Sequence, residues 1–174
     1  MIKIKKANVA DTAILAMLGR ITWNESHGHY IEDKINLLKY LDENFSISKT
    51  KQHIKDPKNL FYIMYVDELP VGYAKIILNE HQDCVASQNN CRLERIFILD
   101  DFIPLKLGYQ LLTFVEEKAK ELRLDTMWLT VYIKNKRAIR FYERNKFINV
   151  GELNFSVNGI AYENIIFSKQ LDVV

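Results

Sequence analysis

The sequence predicts a single mixed α/β domain, with a mostly antiparallel central sheet flanked by helices. Apolar residues recur at helical spacing through the first third of the chain and give way to β-branched and aromatic runs from about residue 60. Two further helical stripes, at 105–123 and 136–145, interrupt those runs. Turn signals at Asp67-Glu68 and Asn158-Gly159 separate strand from strand. A length of 174 residues suits one domain over 1–174, and no repeat or biased tract suggests a boundary.

The elements follow in order. "IKIKKA" alternates apolar and polar residues and reads as a strand. Asp11 then suits the N-cap of a helix through "TAILAMLGRITWNES", with Ile14, Leu18, Ile21 and Glu25 on one face. "IEDKINLLKYLDENF" gives a second helix, placing Ile31, Ile35, Leu38 and Phe45 together, and "SISKTKQHIKD" a short third that stops before Pro57. "LFYIMYV" and "PVGYAKIIL" form a hairpin, and "RLERIFIL" a further strand. From Gly108, Leu111, Leu112, Val115, Ala119 and Leu122 make one stripe that packs a helix on the sheet. "TMWLTVY" is too uniformly apolar for a half-exposed strand and reads as central. "NKRAIRFYERN" is a helix, and "FINVGELNFS" with "AYENIIFSK" closes the chain as a hairpin across Asn158-Gly159. The order is β-α-α-α-β-β-β-α-β-α-β-β.

Composition narrows the function classes. A net charge of +2 with no dominant basic stripe argues against a nucleic-acid partner. No apolar stretch approaches the roughly 20 residues that span a bilayer, so no membrane partner is expected. The opening "MIKIKKANVADTAIL" lacks the long apolar core of a signal peptide, and the expected location is cytoplasmic. Cys84 and Cys91, the two cysteines, fall in a polar loop "HQDCVASQNNC" with His81 nearby. Three soft ligands without a fourth at standard spacing read as loop residues, and no metal is expected.

The most specific pattern is W-L-x-V-x-x-K-N-x-x-A-I-x-F-Y-x-x-x-x-F, which runs from Trp128 to Phe147. Together with "LERIFILDDF" and the helix "GYQLLTFVEEKAKELRL", it makes residues 92–150 resemble the GNAT superfamily of acetyl-coenzyme A-dependent N-acetyltransferases. The N-terminal region "TWNESHGHY…INLLKYLDENF" looks most like bacterial spermidine/spermine-type members. The resemblance implies the acyl-CoA N-acyltransferase fold, acetyl-CoA as cosubstrate, and a small-molecule primary amine, with polyamines as a candidate class, as acceptor. A protein N-terminus, an amino acid and an antibiotic amine are alternative acceptors. A GNAT-fold binding or regulatory module is the alternative class. Either a monomer or a homodimer fits the family.

The resemblance also assigns residues. Tyr142 is the general acid at the departing thiolate. Glu94 is the candidate general base, because an alkyl ammonium with a pKa of about 10.4 must lose a proton before it attacks. Ile96, Phe97 and Ile98 offer backbone to the pantetheine arm; Asn135 and Ala138 belong to the coenzyme site as well. Leu105, Lys106, Leu107, Gly108 and Tyr109 occupy the pyrophosphate loop, where the family pattern Q/R-x-x-G-x-G/A falls on Ile103 to Gly108. Only the last glycine matches, and Lys106 stands where the first glycine belongs. Lys146 likewise replaces a common glycine before Phe147, with Asn145 expected to take the left-handed turn at that helix end. Trp23, Glu25, His27 and Tyr30 are the candidate substrate-binding residues, since acidic and aromatic groups suit a cationic amine.

Overall fold

In a computed structural model that describes residues 1–172, the opening segment forms strand β1, Ile2–Lys6. A short 3-10 turn, Val9–Asp11, leads into helices α1 (Thr12–His27), α2 (Lys34–Phe45) and α3 (Ile47–Lys55). Strands β2 (Asn59–Val66), β3 (Leu69–Leu78) and β4 (Asn90–Ile98) follow. A second 3-10 turn, Asp100–Leu105, precedes helix α4 (Leu107–Glu121), strand β5 (Thr126–Tyr132) and helix α5 (Lys136–Arg144). Strands β6 (Ile148–Val157) and β7 (Ile160–Gln170) end the chain. All seven strands share one sheet in the order β1-β2-β3-β4-β5-β7-β6. β4 and β5 run parallel, as the α4 crossover between them requires, while β1–β2, β5–β7 and β6–β7 are antiparallel. The mixed, mostly antiparallel α/β architecture and its element order agree with the sequence reading. No helix among the described residues is long and apolar enough to cross a membrane.

The chain divides into two compact units, Met1–Ile76 with Arg95–Val115, and Ile77–Glu94 with Glu116–Val174. In the first, Leu15, Leu18, Phe61, Ile63 and Tyr73 make the core, with Phe97 and Leu99 packed against it. In the second, Trp128, Ile166 and Val85 form one cluster, and Tyr142 packs between Phe147 and Phe167. The tight turns are as the sequence requires: Asp67 and Glu68, like Asn158 and Gly159, all have positive φ, the geometry of a two-residue hairpin turn.

Several sequence expectations need correction. On α1 the buried stripe is Leu15, Leu18, Thr22 and Trp23, whereas Ile21 faces solvent. Its start is organised one turn earlier than expected. Asn8 and Asp11 exchange side-chain and backbone hydrogen bonds around the 3-10 turn, and the Asp11 side chain caps nothing on α1. On α2 the helix starts after Asp33, whose carboxylate accepts from Ile35 and Asn36, so Ile31 is buried but outside the helix. Leu37, Leu41 and Phe45 form its buried face, leaving Ile35 79% exposed. Adjacent apolar residues offered two stripes there, and packing selected the one containing Leu37. Leu122 lies beyond α4 and is half exposed. Cys91 is not a loop residue but a buried part of β4, and burial pushes its thiol up to about 12.

Candidate active site

The second unit holds Glu94, Asn135, Ala138 and Tyr142. β5 pairs with Asn90–Arg92 of β4 on one side and along its whole length with β7 on the other, and its Met127 and Leu129 are buried. The chain then turns into α5 at Asn135, whose Oδ1 accepts the Ala138 N–H at 3.1 Å. Asn135 therefore caps the helix with its oxygen, and both Nδ2 hydrogens remain for other partners. Ala138 is half buried, and its N–H is committed to that cap.

Tyr142 is the buried residue of α5, its ring set edge-on to Phe147 at 5.6 Å and tilted against Phe167 at 6.4 Å. Its hydroxyl makes no hydrogen bond to the other described residues. Burial raises its pKa above that of an ordinary tyrosine, so the phenol stays protonated through any working pH. The helix end fixes this ring. Phe147 N–H donates to the Tyr142 carbonyl at 3.1 Å and Lys146 N–H to Glu143 at 3.0 Å, the pair of bonds that closes a helix through a left-handed residue. That residue is Lys146, with φ of 68°, and not Asn145, whose φ is −94°. A Cβ in this conformation costs about 1 kcal/mol relative to glycine. Lys146→Gly is therefore expected to stabilise the protein by about 1 kcal/mol in urea unfolding.

Glu94 is half buried on β4. The neighbouring Arg92 pairs with Glu80 at 3.4 Å and lies over the Trp128 ring at 5.1 Å, while Trp128 Nε1–H donates to Asn90 Oδ1 at 3.2 Å. Arg95, in the first unit, lies over Phe45 at 4.6 Å.

In the first unit, Ile96, Phe97 and Ile98 are half buried at the end of β4. β3 approaches this end closely, and a Cβ on Gly72 would stand 2.5 Å from the Phe97 carbonyl oxygen and nearer still to Ile98. Leu99 N–H donates to Val71 at 2.8 Å. The 3-10 turn then ends at Lys106, which is left-handed, with φ of 57° and ψ of 27°. Its own N–H is bonded to Ile103, so it is not among the open donors expected of the loop. α4 starts at Leu107, and its first N–H groups, including Gly108 and Tyr109, have no intrahelical acceptor. Leu107 buries its side chain in the core and presents only backbone, whereas Leu105, Lys106 and Tyr109 are exposed.

The candidate substrate residues cluster at the end of α1, also in the first unit. Trp23 is 8% exposed, packed on Tyr40 at 4.4 Å, Phe45 at 6.2 Å and the His27 ring at 5.0 Å. His27 in turn meets the edge of Phe97 at 5.9 Å, and Ser26 Oγ lies 2.6 Å from its Nδ1. Burial, and secondarily His29, lowers the His27 pKa to about 4, so its ring is neutral at physiological pH. Tyr30 lies tilted against the ring of the exposed His29, with centroids 3.9 Å apart. Glu25 points elsewhere: its Oε2 accepts the Asp100 N–H at 3.2 Å, a link across 75 residues that no local sequence signal announces.

The acetyltransferase (GNAT) family model matches residues 21–147, from the middle of α1 to the phenylalanine that packs on Tyr142. The chain belongs to this family. As a GNAT acetyltransferase it is an acyl-transferring enzyme. An uncharacterized N-acetyltransferase from the pepI 3′ region of Lactobacillus delbrueckii subsp. lactis is 26% identical to it over 98% of both chains. Among solved structures, the PaiA N-acetyltransferase of Thermoplasma acidophilum in complex with coenzyme A superposes with a TM-score of 0.74. It is 21% identical and covers 98% of this chain and 99% of its own. Mutant forms of the spermidine/spermine N-acetyltransferase SpeG of Vibrio cholerae give a TM-score of 0.70 at 15% identity, covering 98% and 94%. At these identities the two structures establish the shared fold of the GNAT acetyltransferase.

Proposed function

We propose that this acetyltransferase moves the acetyl group of acetyl-coenzyme A onto a primary amine of a small molecule, with polyamines as the favoured class. The observation that carries this reading is the capped helix α5, which holds the buried residue Tyr142, its phenol protonated, seven residues after an Asn135 with both Nδ2 hydrogens available. In direct transfer the amine nitrogen bonds to the thioester carbon, the carbon–sulfur bond breaks, and the sulfur leaves as a thiolate. Tyr142 gives that thiolate its proton. The proton released by the amine goes to Glu94, directly or through water, and the phenolate is reprotonated from solvent.

The donor set suits an anionic, amide-rich cosubstrate. The open N–H groups of Leu107, Gly108 and Tyr109 at the start of α4 favour phosphate, and the exposed Lys106 adds a point charge beside them. Ile96 to Ile98 supply backbone for the pantetheine amides, and Asn135 Nδ2 a further donor. For the acceptor, Trp23, His27 and Tyr30 are the substrate-side candidates. A neutral His27 leaves that region without an opposing imidazolium, which favours a cationic amine. A protein N-terminus, an amino acid or an antibiotic amine would use the same chemistry.

Titrating acetyl-coenzyme A while following thermal unfolding tests the reading. At 100 times its dissociation constant the cosubstrate should add about 2.7 kcal/mol of stability. No stabilisation at millimolar ligand would leave a GNAT-fold binding module in place of the enzyme. Once binding is seen, thiol release with a panel of amines ranks the acceptors.

A further inference from the structure

We infer that Glu25 is a positioning residue for the loop leading into α4, and not a ligand of the amine. The inference rests on the reading above, in which that loop and the first turn of α4 receive the coenzyme. Glu25 sits near the end of α1, and its carboxylate is taken up by the backbone N–H of Asp100, the first residue of the Asp100–Leu105 turn. The other side of the same junction is pinned by Leu99 N–H on the Val71 carbonyl. The start of the loop is thus fixed from α1 and from β3, one residue apart.

From that start the path has little freedom. Phe102 N–H closes on Leu99 at 2.9 Å and Lys106 N–H on Ile103 at 3.0 Å. Pro104 locks its own φ, and the left-handed Lys106 swings the chain into α4 at Leu107. Moving Asp100 therefore moves the N–H groups of Leu107, Gly108 and Tyr109 with it. The bond also persists against local repulsion. Glu25 has Asp100 and Asp101 as neighbouring carboxylates, and partial burial together with these charges raises its pKa, while the Asp100 N–H acts in the opposite direction. A carboxylate partly withdrawn from water and already accepting a backbone N–H is poorly placed to serve as a mobile counter-ion for an ammonium.

The test compares Glu25→Ala and Glu25→Gln with the wild type. Coenzyme A is titrated by calorimetry, and amide deuterium uptake over residues 99–107 is followed in the ligand-free proteins. Glu25→Ala is expected to weaken coenzyme A binding about fivefold and to speed uptake in the loop. Glu25→Gln keeps an acceptor oxygen and should restore both to within about twofold of wild type. A Glu25→Ala protein with wild-type affinity and uptake would overturn the assignment, and so would a Glu25→Gln protein as impaired as Glu25→Ala. Failure of the wild type to bind coenzyme A would remove the acetyl-transfer reading alone, and the uptake measurement would still decide whether Glu25 holds the loop.

Discussion

Replacing Tyr142 by phenylalanine is expected to lower kcat by about 10²- to 10³-fold while the dissociation constant for coenzyme A stays within about twofold. The asymmetry follows from where the hydroxyl stands. The residue is buried, that burial holds the phenol protonated, and the hydroxyl is joined by no hydrogen bond to the other described residues. Removing it deletes a proton donor without breaking a structural contact, because the ring still packs on Phe147 and Phe167. The phenylalanine variant should therefore melt at or slightly above the wild-type temperature, since the deleted hydroxyl makes no hydrogen bond to the other described residues and its loss leaves no partner unsatisfied. Rapid-mixing measurement of thiol release, together with calorimetric titration of coenzyme A, separates the two quantities. A variant that turns over at the wild-type rate would remove Tyr142 from the reaction.

The largest stability loss is expected from Gly72→Ala. The added methyl would lie 2.5 Å from the Phe97 carbonyl oxygen, and backbone cannot yield as a flexible side chain does. β3 and the end of β4 would have to separate, at a cost of about 3 kcal/mol, or a drop of roughly 8 °C in Tm for a chain of this length. Thermal unfolding by circular dichroism reads this directly. The same displacement moves Phe97 and Ile98, so a weakened affinity for coenzyme A should accompany the lower Tm. An unchanged Tm would mean that the two strands do not approach as closely as described.

The parts of the molecule that could be read from sequence are those where one residue type answers to one physical demand. Asn135 is a strong cap former directly ahead of a helical pattern, and it caps α5. Asn158-Gly159 tolerates positive φ at both positions, and it turns the last hairpin. β5 is uniformly apolar, which reads as a central strand, and it pairs with neighbours on both edges. Where several residues meet the same demand, the sequence alone does not choose among them. "INLLKYL" holds two overlapping apolar stripes, and only packing distinguishes Leu37 from Leu38. Lysine carries no signal for a left-handed backbone, so neither Lys106 nor Lys146 could be recognised as such, and Asn145 was the natural but wrong choice. The bond from Glu25 to Asp100 joins distant segments and leaves no periodicity to detect.

The burial of Cys91 has a practical consequence for studying the enzyme. With one thiol inside β4 and its ionisation pushed up to about 12, a thiol-reactive dye at neutral pH meets Cys84 as the chain's accessible sulfhydryl. Cys84 lies against Gly151, where the β6 register shifts, with its sulfur 3.2 Å from the position a Cβ would take there. Native protein can thus carry a single fluorophore next to the C-terminal hairpin without any substitution, and blocking that one residue beforehand leaves colorimetric detection of the liberated coenzyme thiol free of protein background.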